Sequence, residues 1–137
     1  VASLVLVSMV QDAERIGDFA RGLAEVASLA KSRREGPFAD ELRGLAERIR
    51  PLFQTCEEAF REDDPEKARQ VVVAHREIKA ELIRFTRSIA DSELSADMAL
   101  VYGSAARILR RIGAHLSNIS STVVQPYDRI RHGDEEA

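Results

Sequence analysis

The sequence contains no tryptophan, a single cysteine and few aromatic residues, which make up 5% of its 137 positions. These shortages exclude an intrachain disulfide, a zinc site built from several cysteines, and an aromatic platform on which bases could stack. Basic residues are not in excess either, because 20 Lys and Arg against 23 Asp and Glu leave a net charge of −3. We therefore expect no nucleic-acid partner. Cys56 falls on an apolar stripe, so we expect a buried, inert thiol.

Long apolar runs are also missing. The stretch 1–10 is mostly apolar, but a membrane span needs about 20 residues, and the basic segment and cleavage pattern of a signal peptide are absent. We predict a cytoplasmic protein that reaches the inner face of the membrane only through a partner protein or through a missing upstream segment.

Apolar residues recur at helical spacing in four segments, and no segment shows the alternation of a strand. The sequence predicts an all-α fold, an up-down antiparallel bundle of four long helices, because the connections between the segments are short. We assign one domain to 1–137: a first helix within 1–33, a three-helix unit over 38–127, and a frayed polar tail over 128–137. The first helix carries its stripe on Met9, Ala13, Ile16, Ala20, Leu23, Ala24 and Ala27.

Local signals place the helix boundaries. Gly36-Pro37 ends the first segment and starts a turn, and Asp64 before Pro65 is typical of a helix start. Asp91 and Ser92 are two candidate caps, so we predict that the fourth helix starts near them and closes at Pro126. Pro51 lies inside the second helix and is expected to bend it.

The tripeptide Arg-Ile-Gly occurs at 15–17 and again at 111–113. Around the first copy, Glu14 and Asp18 stand at i and i+4, on one side of a helical turn. Arg110 and Ala114 replace them around the second copy, so only the first copy could hold a cation. Since glycine inside a helix costs about 1 kcal/mol relative to alanine, its presence in both copies predicts close helix packing at both.

The segment 12–20, Asp-Ala-Glu-Arg-Ile-Gly-Asp-Phe-Ala, resembles the acidic helix signature of the PhoU family of bacterial phosphate-uptake regulators. The segment 112–119 is similar to the closing helix of a PhoU repeat. The segment 42–60, followed by Asp63-Asp64, Ala68 and Ile78, is similar to the first two helices. The resemblance implies the last helix of one three-helix repeat followed by one complete repeat. It also implies a non-enzymatic regulator, or the PhoU-like cytoplasmic domain of a sodium–phosphate cotransporter, that serves phosphate transport and homeostasis by binding a transporter or a sensor kinase.

The same resemblance implies a metal site at Asp12, Glu14 and Asp18. Oxygen ligands suit a divalent or ferric ion such as iron, manganese, zinc or magnesium. Two carboxylates do not complete a coordination shell, so a second helix, a second subunit or water must finish it. The alternative interpretation is a solvated acidic stripe.

The complete repeat departs from the family pattern at the positions where acids are expected. His75 and Lys79 occupy them on the middle helix, and Arg110 and Ala114 on the closing helix. The sequence therefore predicts that this repeat has lost its metal site. A second hypothesis is that the patch of Arg107, Arg110 and Arg111 replaces the missing cation opposite the acidic helix of this chain or of a partner; the alternative is a solvated basic face.

Two further hypotheses concern His75 and the first helix. The run His-Arg-Glu-Ile-Lys from His75 is similar to a phospho-accepting histidine box, although it is one residue longer, and a histidine phosphotransfer bundle is the alternative function. Two other interpretations of His75 are a hydrogen-bonded core histidine and a metal ligand in place of an acid. The first helix is apolar over much of its surface, since Val5, Val7 and Val10 widen its stripe. We therefore predict a homodimer in which a second copy covers this surface.

Overall fold

The structure, a computed structural model, describes residues 2–124. It contains the helices α1 (Ala2–Ala27), α2 (Pro37–Glu62), α3 (Pro65–Ala90) and α4 (Ala96–Val124), and no strand occurs in this range. The prediction of an all-α fold with four long helices is confirmed. Pro126 and the predicted tail 128–137 lie outside the described residues. None of the four helices combines the length and the apolarity needed to cross a membrane.

α4 is the central helix, because it packs against each of the other three. α2 and α3 also pack on each other and complete a three-helix unit with α4, whereas α1 packs mainly against α4. α1 and α4 are antiparallel, since Asp12 lies next to His115 and Gly22 lies next to Ile108. The fourth helix therefore holds α1 and the three-helix unit together.

The helix starts follow local chemistry at α2 and α3. Pro37 begins α2 after Gly36, whose φ of 100° is a conformation that favours glycine. The carboxylate of Asp64 accepts the backbone N–H groups of Glu66 at 2.9 Å and Lys67 at 3.2 Å, as an N-cap does.

The predicted start of α4 near Asp91 and Ser92 is wrong. Asp91 ends α3, with its N–H bonded to the carbonyl of Arg87. The hydroxyl of Ser92 donates to the carbonyl of Ile89 at 2.6 Å, so this side chain also serves the end of α3. α4 starts at Ala96. Short polar side chains can serve either helix end, which the sequence pattern did not distinguish.

The core is formed by the predicted stripes of α2 and α3 together with a broad surface of α4. α2 continues through Pro51 without interruption. α4 buries more of its circumference than one stripe, because neighbours contact it on several sides. Its buried residues are Met98, Val101, Tyr102, Ala106, Leu109, Ile112, Gly113, Leu116, Ser117, Ser120 and Ser121.

The stripe predicted for α1 divides into two faces. Met9, Ile16 and Leu23 are half-buried, and Ile16 and Leu23 pack against the core. Ala13, Ala20 and Ala24 are exposed, so their assignment to a buried stripe is wrong for the single chain. The reason is that α1 has apolar residues for two neighbours but packs mainly against one. Its first turns also expose Leu4, Leu6, Val7 and Val10.

Candidate functional site

The polar contact between α1 and α4 centres on Asp12. Its Oδ1 lies 2.6 Å from Nδ1 of His115, and the two side chains are only 13% and 16% exposed. The amide of Asn118 donates to the same oxygen at 3.5 Å. Asp12 therefore links α1 to α4, whose other contacts with α1 are largely apolar. Its carboxylate on α1 accepts the side-chain N–H of Asn118 on α4.

Aromatic contacts lie beside this group. The ring of Phe19 stacks on His115 with centroids 5.7 Å apart. The guanidinium of Arg111 lies 5.8 Å from the centroid of Phe19, within the range of a cation–π interaction. The ring of Phe19 thus contacts both the imidazole and the guanidinium, which belong to α4.

The three predicted metal ligands are not brought together in one chain. Successive side chains turn by about 100° around a helix, so Glu14 points about 200° away from Asp12. Glu14 and Asp18 are exposed, and Asp18 forms an ion pair with Arg21 on its own helix. Within residues 2–124 no three His, Cys, Asp or Glu side chains are grouped so that they could hold a metal ion. The described residues of one chain therefore do not form a complete metal centre, and a site at Glu14 and Asp18 with ligands from elsewhere stays a prediction.

The arginines of α4 do not replace a cation within this chain. Arg107, Arg110 and Arg111 form no ion pair with any described residue, and the hypothesis that they face the acids of their own first helix is wrong. Asp18 has Arg21 as its closer partner, one turn away. Arg107 is exposed and Arg110 half-buried, so their charges remain available to another molecule.

His75 is a core residue of α3, 6% exposed, and its ring lies against Gly113 of α4. A Cβ added at Gly113 would lie 2.6 Å from Nδ1 and 3.3 Å from Cε1 of this ring. Close packing at Gly113 is confirmed. This burial opposes the phosphotransfer hypothesis, because a kinase and a phosphoryl group need access to the imidazole.

Gly17, the counterpart of Gly113 in the first Arg-Ile-Gly copy, is exposed, and a Cβ there would meet nothing within 4 Å. The predicted close packing at Gly17 is therefore wrong for the single chain. α1 lacks, on this side, the neighbour that α4 has in α3.

Cys56 is buried as predicted, and its thiol donates weakly to the carbonyl of Leu116 at 3.6 Å. Burial raises the pKa of the Cys56 thiol, the nearby hydroxyl of Ser120 opposes that shift, and the charge of Asp12 adds to it. The neutral thiol is thus favoured, which makes the side chain a poor nucleophile.

The contact of Asp12 with His115 and Asn118 was missed by reasoning from the sequence. Asp12 was assigned to a metal site with its neighbours in the chain, although it is the one acid of the three that faces α4. The available signal was its position in the helical repeat: it falls between Met9 and Ile16, on the face that packs against α4.

Comparison with known proteins agrees with this architecture. The PhoU domain is matched by residues 42–123, which include most of α2 and all of α3. The Phosphate-specific transport system accessory protein PhoU homolog 1 of Thermotoga maritima is 29% identical over 127 residues, which cover 88% of this chain and 54% of that protein. The chain thus spans about half the length of this relative. No solved structure matches the chain. Because the domain match covers more than half of the sequence and coincides with the three-helix unit, the chain belongs to the PhoU domain family.

Proposed function

We propose that this chain is a non-enzymatic accessory domain in phosphate transport and phosphate homeostasis. It acts at the cytoplasmic face of the membrane by binding a phosphate transporter or a sensor kinase. The observation that carries the proposal is the PhoU domain match over the three-helix unit, together with a relative named as an accessory protein of phosphate-specific transport.

The polar groups that meet in the structure support a binding role rather than catalysis. The carboxylate of Asp12 and the imidazole of His115 are directed at each other between two packed helices, where they fix the position of α1. His75 is enclosed between α3 and α4. These groups are occupied with holding helices, which suits a scaffold that presents its outer surfaces to partners.

Two surfaces are available for partners. Arg107 and Arg110 of α4 form no ion pair with a described residue, so their charges suit an acidic surface of the transporter or kinase. The exposed apolar residues of α1 suit a second copy of the chain, and a homodimer is part of this proposal.

Phosphate uptake in the organism of origin tests the role. We expect deletion of the gene to change the accumulation of labelled phosphate between phosphate-poor and phosphate-rich medium, and the intact gene to restore it. Arg107→Glu/Arg110→Glu should restore it poorly. Arg43→Glu/Arg50→Glu, with the same charge change on exposed positions of α2, is the matched control and should restore it.

The possible outcomes test the role in phosphate uptake and the arginine surface of α4 separately. Phosphate uptake that is unchanged by the deletion in both media would contradict the proposed function. Full restoration by the α4 variant would leave the role in place and show that these arginines do not bind the partner.

A further inference from the structure

Four basic side chains lie on one side of the contact between α3 and α4, and we call them the basic cluster. They are Arg76 and Lys79 of α3 and Arg107 and Arg110 of α4. None of them forms an ion pair with a described residue. Lys79 and Arg110 are half-buried, and removing a charge from water is costly unless an opposite charge compensates it. The basic cluster is therefore short of negative charge.

The contact of His75 with Gly113 sets the register of α3 and α4. The two helices are antiparallel, because the short connection 91–95 joins the end of α3 to the start of α4. Lys79 follows His75 by one helical turn and Arg110 precedes Gly113 by one turn, so both lie in the same direction from the contact. With a rise of about 1.5 Å per residue, Lys79 and Arg110 are level to within about 2 Å along the helix axes.

Lys79 and Arg110 also lie on the same side of the two helices. In two antiparallel right-handed helices, residues turned by similar angles from the facing pair lie on one side. At about 100° per residue, Lys79 is turned by about 40° from the contact, and Arg110 by about 60° in the same sense. The buried Ile78 and Leu109 are turned in the opposite sense, toward the core that α3 and α4 form with α2. Lys79 and Arg110 therefore lie on the side that α2 leaves open.

Cations on the α2 side of α3 are paired with acids. Arg48 of α2 donates to Glu81 of α3 at 2.7 Å, and Lys67 of α3 lies 3.1 Å from a carboxylate oxygen of Glu58 of α2. The α4 segment 98–124 contains no acidic residue, so the opposite side of α3 receives no such partner from α4. This contrast indicates that the negative charge for the basic cluster comes from a separate molecule.

The α4 part of the basic cluster is open to such a molecule. Gly103 and Ala114 precede and follow the two arginines at helical spacing, so small residues border them on both sides along the helix. A Cβ at Gly103 would meet nothing within 4 Å, and Ala114 is half-buried. A small anion can therefore approach Arg107 and Arg110 without displacing another side chain.

The size and charge of the basic cluster indicate what it binds. Arg76 and Arg107 lie on either side of the Lys79–Arg110 pair along the helix axes, and the four positions span only about 8 Å. A phosphate group carries about 1.5 to 2 negative charges at pH 7, so two linked phosphate groups balance four cations. Guanidinium groups also match phosphate oxygens, to which they donate two parallel N–H bonds. We infer that the basic cluster binds a free oxyanion with two linked phosphate groups.

This ligand adds to the role of the arginine surface on α4. The inference rests on the proposed function in using Arg107 and Arg110, and it extends their surface to Arg76 and Lys79 of α3. A bound diphosphate group and an acidic partner would compete for the same two arginines. Binding to the purified chain needs neither a transporter nor a kinase, so its failure is distinguishable from a failure of the proposed function.

Isothermal titration calorimetry with pyrophosphate, in buffer free of divalent metal, tests the site. We expect saturable binding of pyrophosphate with a Kd below about 1 mM, and binding of inorganic phosphate that is weaker by about tenfold or more. Lys79→Gln/Arg110→Gln should weaken pyrophosphate binding by about tenfold or more, because two of the four cations are lost. Arg43→Gln/Arg84→Gln is the matched control: it removes two charges at exposed positions and should change the Kd by less than about twofold.

Arg76→Gln/Arg107→Gln is a second variant, at exposed positions where a change cannot disturb the core, and it should also weaken binding. The absence of saturable pyrophosphate binding would overturn the inference and leave the role in phosphate uptake in place. Equal weakening by the control variant would show a general attraction to positive charge and overturn it as well. Sedimentation of the chain with phosphatidylglycerol vesicles, without binding of free pyrophosphate, would assign the basic cluster to a membrane surface and contradict the free ligand.

Discussion

The contact between Gly113 and His75 gives the sharpest test of how α3 and α4 pack. An alanine at position 113 would place its Cβ 2.6 Å from Nδ1 of a ring that is 6% exposed. Ordinary contact starts at 3.4 Å, so the two atoms must separate by a further 3.4 − 2.6 = 0.8 Å. The atom in the way belongs to a ring enclosed between two helices and not to the end of a flexible chain.

Two opposing effects set the size of the change. Alanine improves the helix propensity of α4 by about 1 kcal/mol. Overpacking a core typically costs about 1–3 kcal/mol. Because the required movement is large, we expect Gly113→Ala to lower the free energy of unfolding by about 1–2 kcal/mol, measured by urea denaturation with the slope unchanged.

Gly44→Ala is the matched control. Gly44 is exposed inside α2, and a Cβ there meets nothing within 4 Å, so this change should stabilise by up to about 1 kcal/mol. In a His75→Ala background the harmful effect of Gly113→Ala should disappear, since the ring is gone. If Gly113→Ala stabilised the chain as much as Gly44→Ala does, the assignment of Gly113 to helix packing would be refuted.

Three other predictions concern single polar groups. Asp12→Ala removes the acceptor at the α1–α4 contact and should lower the free energy of unfolding in urea by about 1–3 kcal/mol; a change under about 0.5 kcal/mol would contradict that role. The backbone N–H of Lys31 lowers the pKa of Asp97, so the carboxylate stabilises the fold above its unfolded pKa and loses this effect as the pH falls through its folded pKa. The free energies of unfolding of wild type and Asp97→Asn should therefore differ at neutral pH and converge below about pH 4. A difference in the free energy of unfolding that persists in acid would be inconsistent with this assignment. Any divalent metal that the wild type binds should be lost in Glu14→Gln/Asp18→Asn and kept in Asp12→Asn; equal metal content in elemental analysis of the wild type and both variants would oppose a site at Glu14 and Asp18.

Much of the fold follows from the sequence because the decisive signals are local. Apolar residues recur at helical spacing in the segments that form α2 and α3, and the buried residues of both helices follow the same steps of three and four. Asp64 before Pro65 identifies a helix start, since its side chain and the proline ring both act within one turn.

The candidate site was harder to predict because it depends on which helices become neighbours. Periodicity places Ala13 and Ile16 in one apolar pattern, but only the arrangement of α4 decides that Ile16 is covered and Ala13 is exposed. In the same way, the family resemblance groups Asp12 with Glu14 and Asp18, whereas tertiary contact pairs Asp12 with His115, 103 residues away.

The contact of Asp12 with His115 also limits how α1 can move. Sliding α1 along α4 by one helical turn, about 5.4 Å, would preserve most apolar contacts, because both helices offer apolar residues at each turn. It would also move the carboxylate away from the imidazole and leave both groups enclosed without each other, which costs about 1–3 kcal/mol for each group that loses its partner. The contact between Asp12 and His115 therefore fixes the register of α1 along α4. Any displacement of α1 along the three-helix unit must therefore either keep this register or break the pair.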